Sequence, residues 1–347
     1  MSLELHQQIR DKAKEIGFDL FGFASAGRSP ESSYYPRWLE AGYAGEMNYL
    51  HKNVDKRIDS RKLEPWAKSI ICTAVNYNTD APYSTDSRPS SSGWIARYAW
   101  GDDYHDTFKS MLFQLADAVR ILGPEGTQTK VCVDTAPTID RVAAENAGLG
   151  WFGKNTCILH REVGSFLFIG EVVTNLELQP DTPETDHCGT CTACIDACPT
   201  EAILEPYVLD SRRCISYLTI ELKGPIPQDL RKGMGTHVFG CDICQDVCPW
   251  NGKSPKTNRP EYQPRPGNVA PQLKDLLEMS KEDYQKRFRR SPVKRAKYHG
   301  VLRNAAIAAG NSGDPSLVPS LKKAAKTDPM VAEHAEWAIR KIEGLKD

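Results

Sequence analysis

The spacing of eight cysteines constrains this chain more than any other feature. The stretch "CGTCTACIDACP" supplies Cys188, Cys191, Cys194 and Cys198 as C-x-x-C-x-x-C-x-x-x-C-P, the run of bacterial ferredoxins. Cys214 follows, and then "CDICQDVCP" with Cys241, Cys244 and Cys248. Three thiolates in one tight loop reach three corners of an iron–sulfur cube, and the fourth corner faces the partner loop. In two-cluster ferredoxins the fourth cysteine of each run therefore ligates the other cluster. With Cys214 as the displaced first member of the second run, one 4Fe-4S cluster falls on Cys188, Cys191, Cys194 and Cys248. The other falls on Cys198, Cys214, Cys241 and Cys244. Structural zinc also takes four thiolates on C-x-x-C knuckles, but a three-thiolate run closed by Cys-Pro and nearly repeated favours clusters. Cys72, Cys132 and Cys157 sit in or beside apolar strands and read as small buried hydrophobes with no assigned chemistry.

Eleven cysteines suit a reducing compartment when most of them bind metal. Formal charge is -1, from 44 basic and 45 acidic residues, so no global field draws the chain to nucleic acid or membrane, and such binding needs a local patch. The N-terminal "MSLELHQQIRDKAKEIG" is an amphipathic mixed-charge helix rather than a targeting segment, and no stretch approaches the roughly 18 apolar residues of a membrane span. These features read as a soluble cytoplasmic protein.

The texture of the chain divides it in three. Residues 1–179 alternate helix and strand: "DLFGFASA", "AKSIICTAVNY", "KVCVD" and "SFLFIGEVVT" are strands, the second of the fully buried kind. Tyr104, Phe108, Met111, Leu112, Leu115 and Val119 recur at helical spacing until Gly123-Pro124. Residues 180–265 are rich in Cys, Pro and short loops. Residues 266–347 read as helix, turn, helix, turn, helix, either a short HEAT-like repeat or a terminal docking bundle.

"GLGWFGKN", residues 148–155, is one letter from the phosphate-cradling G-x-x-x-x-G-K-S/T. That loop needs a strand before it and a helix after it. Here a helix precedes it and "TCIL" follows, so a nucleotide site is excluded. The glycines instead end a helix and let the backbone pass close to another group.

"RYAWGDDYHD", "VDTAPTIDR", "AGLGWFGKN", the ferredoxin run, "RRCISYLT", "KGPIP" and "GCDICQDVCPWN" occur in an order and spacing that resembles the epoxyqueuosine reductases, over nearly the whole chain. The resemblance implies an α/β cobalamin-binding domain followed by a ferredoxin-like two-cluster domain and a short all-α HEAT-like C-terminal repeat. It implies removal of the epoxide oxygen from epoxyqueuosine at the wobble position of tRNA. It also implies a cobalamin held base-off between the first two domains, without a protein side chain on the lower cobalt face. Gly153, Lys154 and Asn155 are then expected against the corrin edge, with Arg57, Arg97, Arg141 and Ser216 as further cofactor neighbours. Asp134 is implied as the proton donor, and a carboxylic acid kept protonated by desolvation suits that role. The clusters would pass electrons singly from an unidentified low-potential donor to cobalt.

The local patch is "KRFRRSPVKRAKYHGVLRN", with Lys286, Arg287, Arg289, Arg290, Lys294, Arg295, Lys297 and Arg303 around Phe288 and Tyr298. A lone charge run is commonly a solvated helix face. Behind a cluster domain of this kind it reads as a tRNA surface, in which cations meet phosphates and aromatic rings stack on unpaired bases. Lys223, Gly224, Arg231 and Lys232 are expected to add a second strip. Two other classes share parts of the pattern. A corrinoid reductive dehalogenase also joins cobalamin to two clusters, but such enzymes are typically exported and no twin-Arg signal is visible; a non-catalytic electron-transfer module would bind no cobalamin.

Overall fold

The computed structural model describes residues 3–345. Met1 and Ser2 of the expected first helix, and Lys346 and Asp347 of the third segment, lie outside them. Strands β1 (Leu20–Ser25), β2 (Ser69–Asn76), β3 (Thr129–Cys132) and β4 (Leu167–Thr174) form one sheet in the order β1-β2-β4-β3. All three pairings are antiparallel. The continuous apolar run of β2 suggests a fully buried strand, and the strand is buried throughout. Helices cover both faces of an antiparallel sheet. Ile71 and Val75 pack with Phe108, Leu112 and Leu115 of the Tyr104–Leu122 helix. Ile70, Cys72 and Ala74, alternating with them, pack with Ala143 and Ala144 of the Asp140–Asn146 helix. Cys72 and Cys132 are buried small hydrophobes on that second face.

Glu171 of β4 lies between these two cysteines, opposite Cys72 on one side and Cys132 on the other. It is fully buried and neither carboxyl oxygen has a hydrogen-bond partner. Nearby Thr138 spends its hydroxyl proton on Asp140 Oδ1 at 2.6 Å. Burial, reinforced by Asp140, pushes the Glu171 carboxyl far above its ordinary range. A raised carboxyl pKa means that stability present below about pH 4.5 is lost as pH rises, because only the unfolded chain releases the proton. Glu171→Gln should therefore melt higher than the parent at pH 8, by the equivalent of about 1–3 kcal/mol, and nearly level with it at pH 4.5. Melting curves at the two pH values check this; a gap independent of pH would mean that Glu171 is already ionised.

The remaining segments do not keep separate cores. His237–Phe239 pairs in parallel with Trp94–Ile95. Trp94 and Trp100, Leu218 and Phe239, and the helices Tyr298–Ser312, Val318–Ala324 and Pro329–Ile342 share one hydrophobic cluster. The Tyr298–Ser312 helix is buried from Gly300 to Gly310 because the cysteine-rich segment packs on one side of it and the last helices on the other. Asn304 and Arg303 fasten it: Asn304 Nδ2 donates to Thr219 O and Val238 O, each at 2.9 Å. Arg303 donates to the carbonyls of Leu218, Leu222 and Gly224. Among the described residues no helix is long and apolar enough to cross a membrane.

Candidate active site

Each cysteine run folds a one-turn helix, Ala193–Asp196 in the first and Ile243–Asp246 in the second, and the two turns contact each other. Cys188, Cys191, Cys194 and Cys248 line one cavity of about 260 Å³, with His187 and Trp250. Cys214 and Cys241 lie deeper, each thiol raised by burial and further by the neighbouring thiol of Cys198. Cys244 joins them: its thiol is raised most by a hydrogen bond with Cys157, then by burial, then by Cys241 and Cys214. Ala202 donates its backbone N–H to Cys198 Sγ at 3.3 Å. The thiols thus fall into two groups drawn from both runs, Cys188, Cys191, Cys194 and Cys248 around the small cavity and Cys198, Cys214, Cys241 and Cys244 as mutual neighbours, the partition that crossed ligation expects. The raised thiols mean that loading clusters releases protons, because only thiolates ligate.

A second cavity, of about 910 Å³, lies between the sheet and the cysteine-rich segment. Tyr35, Trp38, Tyr98, Trp151 and Phe168 give it broad apolar walls, and Arg57, Arg141, Thr156 and Ser211 supply polar groups. Cys157 and Gln245 also line it, so the wall next to the buried thiol group is one side chain thick. Cys191 of the other group is exposed.

Asp134 stands on the wall of this cavity, two residues beyond β3, in the left-handed region at φ +43°. Its Oδ2 accepts from Tyr104 Oη at 3.0 Å and lies 3.3 Å from His105 Nε2. His105 Nδ1 is 2.8 Å from Asp103 Oδ1, the same oxygen that caps the helix by accepting from the His105 backbone N–H. "GDDYHD" is thus a helix start whose cap and first two side chains are gathered onto the loop after β3. The His105 imidazole is pushed up to about 9, first by the bond to Asp103 and then by that to Asp134. The Asp134 carboxyl is lowered, chiefly by His105 and also by Tyr104, against the opposing effect of burial. Its side chain is 62% accessible because it faces the cavity within a dense protein shell. The shift runs opposite to the one expected from desolvation: two donors hold the Asp134 carboxyl below its ordinary range.

Other expected residues divide between the cavities. Arg57 and Arg141 line the large one, with Nη1 of each on a carbonyl, of Thr138 at 3.2 Å and Thr156 at 2.7 Å. Lys154 and Asn155 line the small one and clamp the cysteine loops. Lys154 Nζ donates to Gly189 O at 2.6 Å and Cys191 O at 2.9 Å, and Asn155 Nδ2 to Cys244 O at 3.2 Å. Gly153 is needed because a Cβ there would stand 2.7 Å from Asn155 Oδ1 and Leu159 Cδ1. Ser216 directs its backbone N–H at Cys214 and is not on the large cavity's wall, where Ser211 stands instead. Arg97 is a correction. It is buried against Tyr83, Trp100 and Phe166, and its guanidinium ties the carbonyls of Thr79, Ala81 and Pro82.

The basic patch is also thinner than its sequence. Phe288 is fully buried and is not presented for base stacking, while Tyr298 packs half-buried against the core with its hydroxyl on Met279 O. Arg303 is internal. Arg231 is 4% exposed, with Nε on Ile226 O and its guanidinium paired with Glu333. Lys223 donates to the carbonyls of Ile220 and Arg295, and the Gly224 carbonyl is taken by Arg303. Lys232, Arg289, Arg290, Lys294, Arg295 and Lys297 remain exposed. Arg295 makes a paired contact with Glu221 and lies over Tyr49, which lines the large cavity. Arg290 is paired with Asp106.

Paired thiol groups beside a wide cavity with Asp134 on its wall and Tyr104 and His105 against that carboxylate fit a double-cluster iron–sulfur oxidoreductase. Residues 187–251 match the model of a 4Fe-4S double cluster binding domain, and residues 57–135 the model "Epoxyqueuosine reductase QueG, DUF1730". The epoxyqueuosine reductase of Pseudomonas aeruginosa is 41% identical over 97% of this chain and 94% of its own. The crystal structure of an epoxyqueuosine reductase with an epoxyqueuosine-modified tRNA-Tyr stem loop superposes with a TM-score of 0.90 at 34% identity, covering 98% of this chain and 90% of that one. A Bacillus subtilis epoxyqueuosine reductase, with an aspartate catalytic loop swung out of its active site, gives 0.88 at 34% over the same shares, 98% and 90%. The chain belongs to the epoxyqueuosine reductase family.

Proposed function

We propose that this chain reduces the epoxide of epoxyqueuosine at the wobble position of tRNA, giving queuosine, with electrons passed through two 4Fe-4S clusters to cobalamin. The observation that carries this reading is the large cavity, with Asp134 on one wall and, one side chain behind another, the buried thiol group. Its breadth and its mix of aromatic faces with Arg57, Arg141, Thr156 and Ser211 suit a flat macrocycle fringed with amides. When bound there, cobalamin supplies the strongly reducing metal centre that breaks a carbon–oxygen bond. The first segment, 1–179, would hold it, 180–265 the clusters, and 266–347 part of the tRNA surface. Electrons would enter from a low-potential donor at the group containing exposed Cys191, then pass to Cys198, Cys214, Cys241 and Cys244, and reach the cavity near Cys157. Asp134 faces the cavity with Tyr104 and His105 behind it, and delivers a proton to the departing oxygen. The cavity side of Asp134 must admit a flipped-out base, as its accessibility permits. A tRNA substrate places the work in the cytoplasm.

The test is anaerobic conversion with reconstituted clusters, cobalamin, a strong reductant and epoxyqueuosine-containing tRNA, read by mass spectrometry of the digested nucleosides. Cobalamin-dependent queuosine supports the reading. Intact clusters and bound cobalamin without product would sink it. For the tRNA surface, the exposed cations Arg289, Lys294 and Lys297 changed together to Ala should weaken binding at low salt. The slope of log affinity against log salt should fall by about 2, and an unchanged slope would displace the patch.

A further inference from the structure

Deoxygenation of an epoxide to an alkene consumes two electrons and two protons. One proton goes to the oxygen as the first carbon–oxygen bond breaks, and a second lets that oxygen leave as water when the other bond breaks. The electrons come one at a time from the low-potential donor. A carboxyl carries one proton at a time and two are consumed, so Asp134 must be resupplied, and its contacts with His105 and Tyr104 hold its carboxyl below the ordinary range.

We propose that His105 is the proton store of this site: it passes a proton from Nε2 across the contact with Asp134 Oδ2, and Asp134 hands it to the departing oxygen. This rests on the functional reading above. Asp103 fixes the ring through Nδ1, which leaves Nε2 as the only nitrogen aimed at Asp134. The His105 side chain is 35% exposed, so it can recover a proton from water after each transfer. Tyr104 stacks on the imidazole at 4.2 Å and donates to the same Oδ2, so the carboxylate is aligned while it waits. The phenol itself is pushed far up by burial and by Asp134 and holds its own proton. Of the other charged groups near the pair, Arg265 is ion-paired with Asp102 and Arg295 with Glu221, and the buried Asp140 carboxyl, which accepts the Asp134 backbone N–H, is raised by burial and by Asp134. Asp103 and Asp134 are therefore the two carboxylates that keep the imidazolium charged. His105 acts through Asp134 and is a positioning residue.

The test is the single-turnover rate against pH with loaded enzyme, saturating tRNA and excess reductant. The parent should hold its rate until pH approaches about 9 and then decline, since the raised imidazolium is lost there. His105→Gln keeps a donor to Asp134 but stores no proton. Its rate at pH 8 should fall on the order of 100-fold and recover toward acid pH, where Asp134 protonates directly, while cluster and cobalamin spectra and the KM for tRNA stay unchanged. Asp103→Asn preserves the helix cap and should move the alkaline limb acidward by roughly a unit or more, with the rate at pH 6 retained. Profiles of both variants that superimpose on the parent's would overturn the role of His105 and leave the functional reading standing. A parent enzyme that converts nothing would sink that reading itself.

Discussion

Asp134→Asn is expected to lower turnover by about 100- to 10,000-fold while both cluster signals and the cobalamin spectrum stay as in the parent. The substitution is close to isosteric. An asparagine carbonyl still accepts from Tyr104, and asparagine tolerates the left-handed φ of +43° that this position adopts. The loop that carries it is held independently, by the Asp134 backbone N–H on the Asp140 carboxylate and by Thr138 on Asp140 Oδ1. What disappears is the capacity to carry a proton between His105 and the cavity. Asp134→Ala makes a useful contrast, because it adds backbone strain to the same chemical loss and should also lower the melting temperature. The measurement is single-turnover formation of queuosine after spectra have been matched. Unchanged turnover in Asp134→Asn would remove the proton-donor role and send the search to another acid on the cavity wall.

The parts of this site readable from sequence are those whose partners lie within a few residues of one another. C-x-x-C-x-x-C gathers three thiols by chain geometry alone, and the near-repeat sets Cys248 beside them on the small cavity. The Tyr104–Leu122 helix follows from its own apolar stripe and its Gly123 stop. Arg97 and Arg141 look alike as letters, yet one ends beneath three rings and the other at a cavity, because their surroundings come from residues 79–83, 156 and 166. Phe288 and Tyr298 follow the same rule: interleaving with cations suggests stacking platforms, but Phe288, at the end of one helix, is buried in the core, and Tyr298, at the start of the next, packs half-buried against it. Protonation is the least legible property. His105 sits in plain view in "GDDYHD" beside Asp103, the first cause of its raised imidazole, but its contact with Asp134 joins a helix start to the loop after β3 and lowers that carboxyl. Cys157 reads from sequence as a small buried hydrophobe, yet it lies on the large cavity's wall and bonds to Cys244, a neighbour far along the chain.

Cys198→Ser and Cys248→Ser should give opposite outcomes, and the asymmetry tests both the crossed ligation and the order of the electron path. If each run closed its own cluster, Cys198→Ser would empty the group that holds exposed Cys191. With crossed ligation it empties the buried group instead, because Cys198 neighbours Cys214 and Cys241 and not the small cavity. Bound iron should fall by about four per chain, a cluster readily reached by chelators should persist, and queuosine formation should fall below detection, since the lost cluster is the one beside the large cavity. Cys248→Ser removes the accessible cluster and spares the buried one. A small reductant that can diffuse to the buried cluster should then still support a single turnover, while a protein donor that must dock at the surface should support none. Iron analysis, spectra of the reduced protein and turnover with the two kinds of donor together decide the matter. Loss of the chelator-accessible cluster in Cys198→Ser would mean that each run closes on itself, and equal activity of the two variants with a small reductant would mean that the clusters do not act in series.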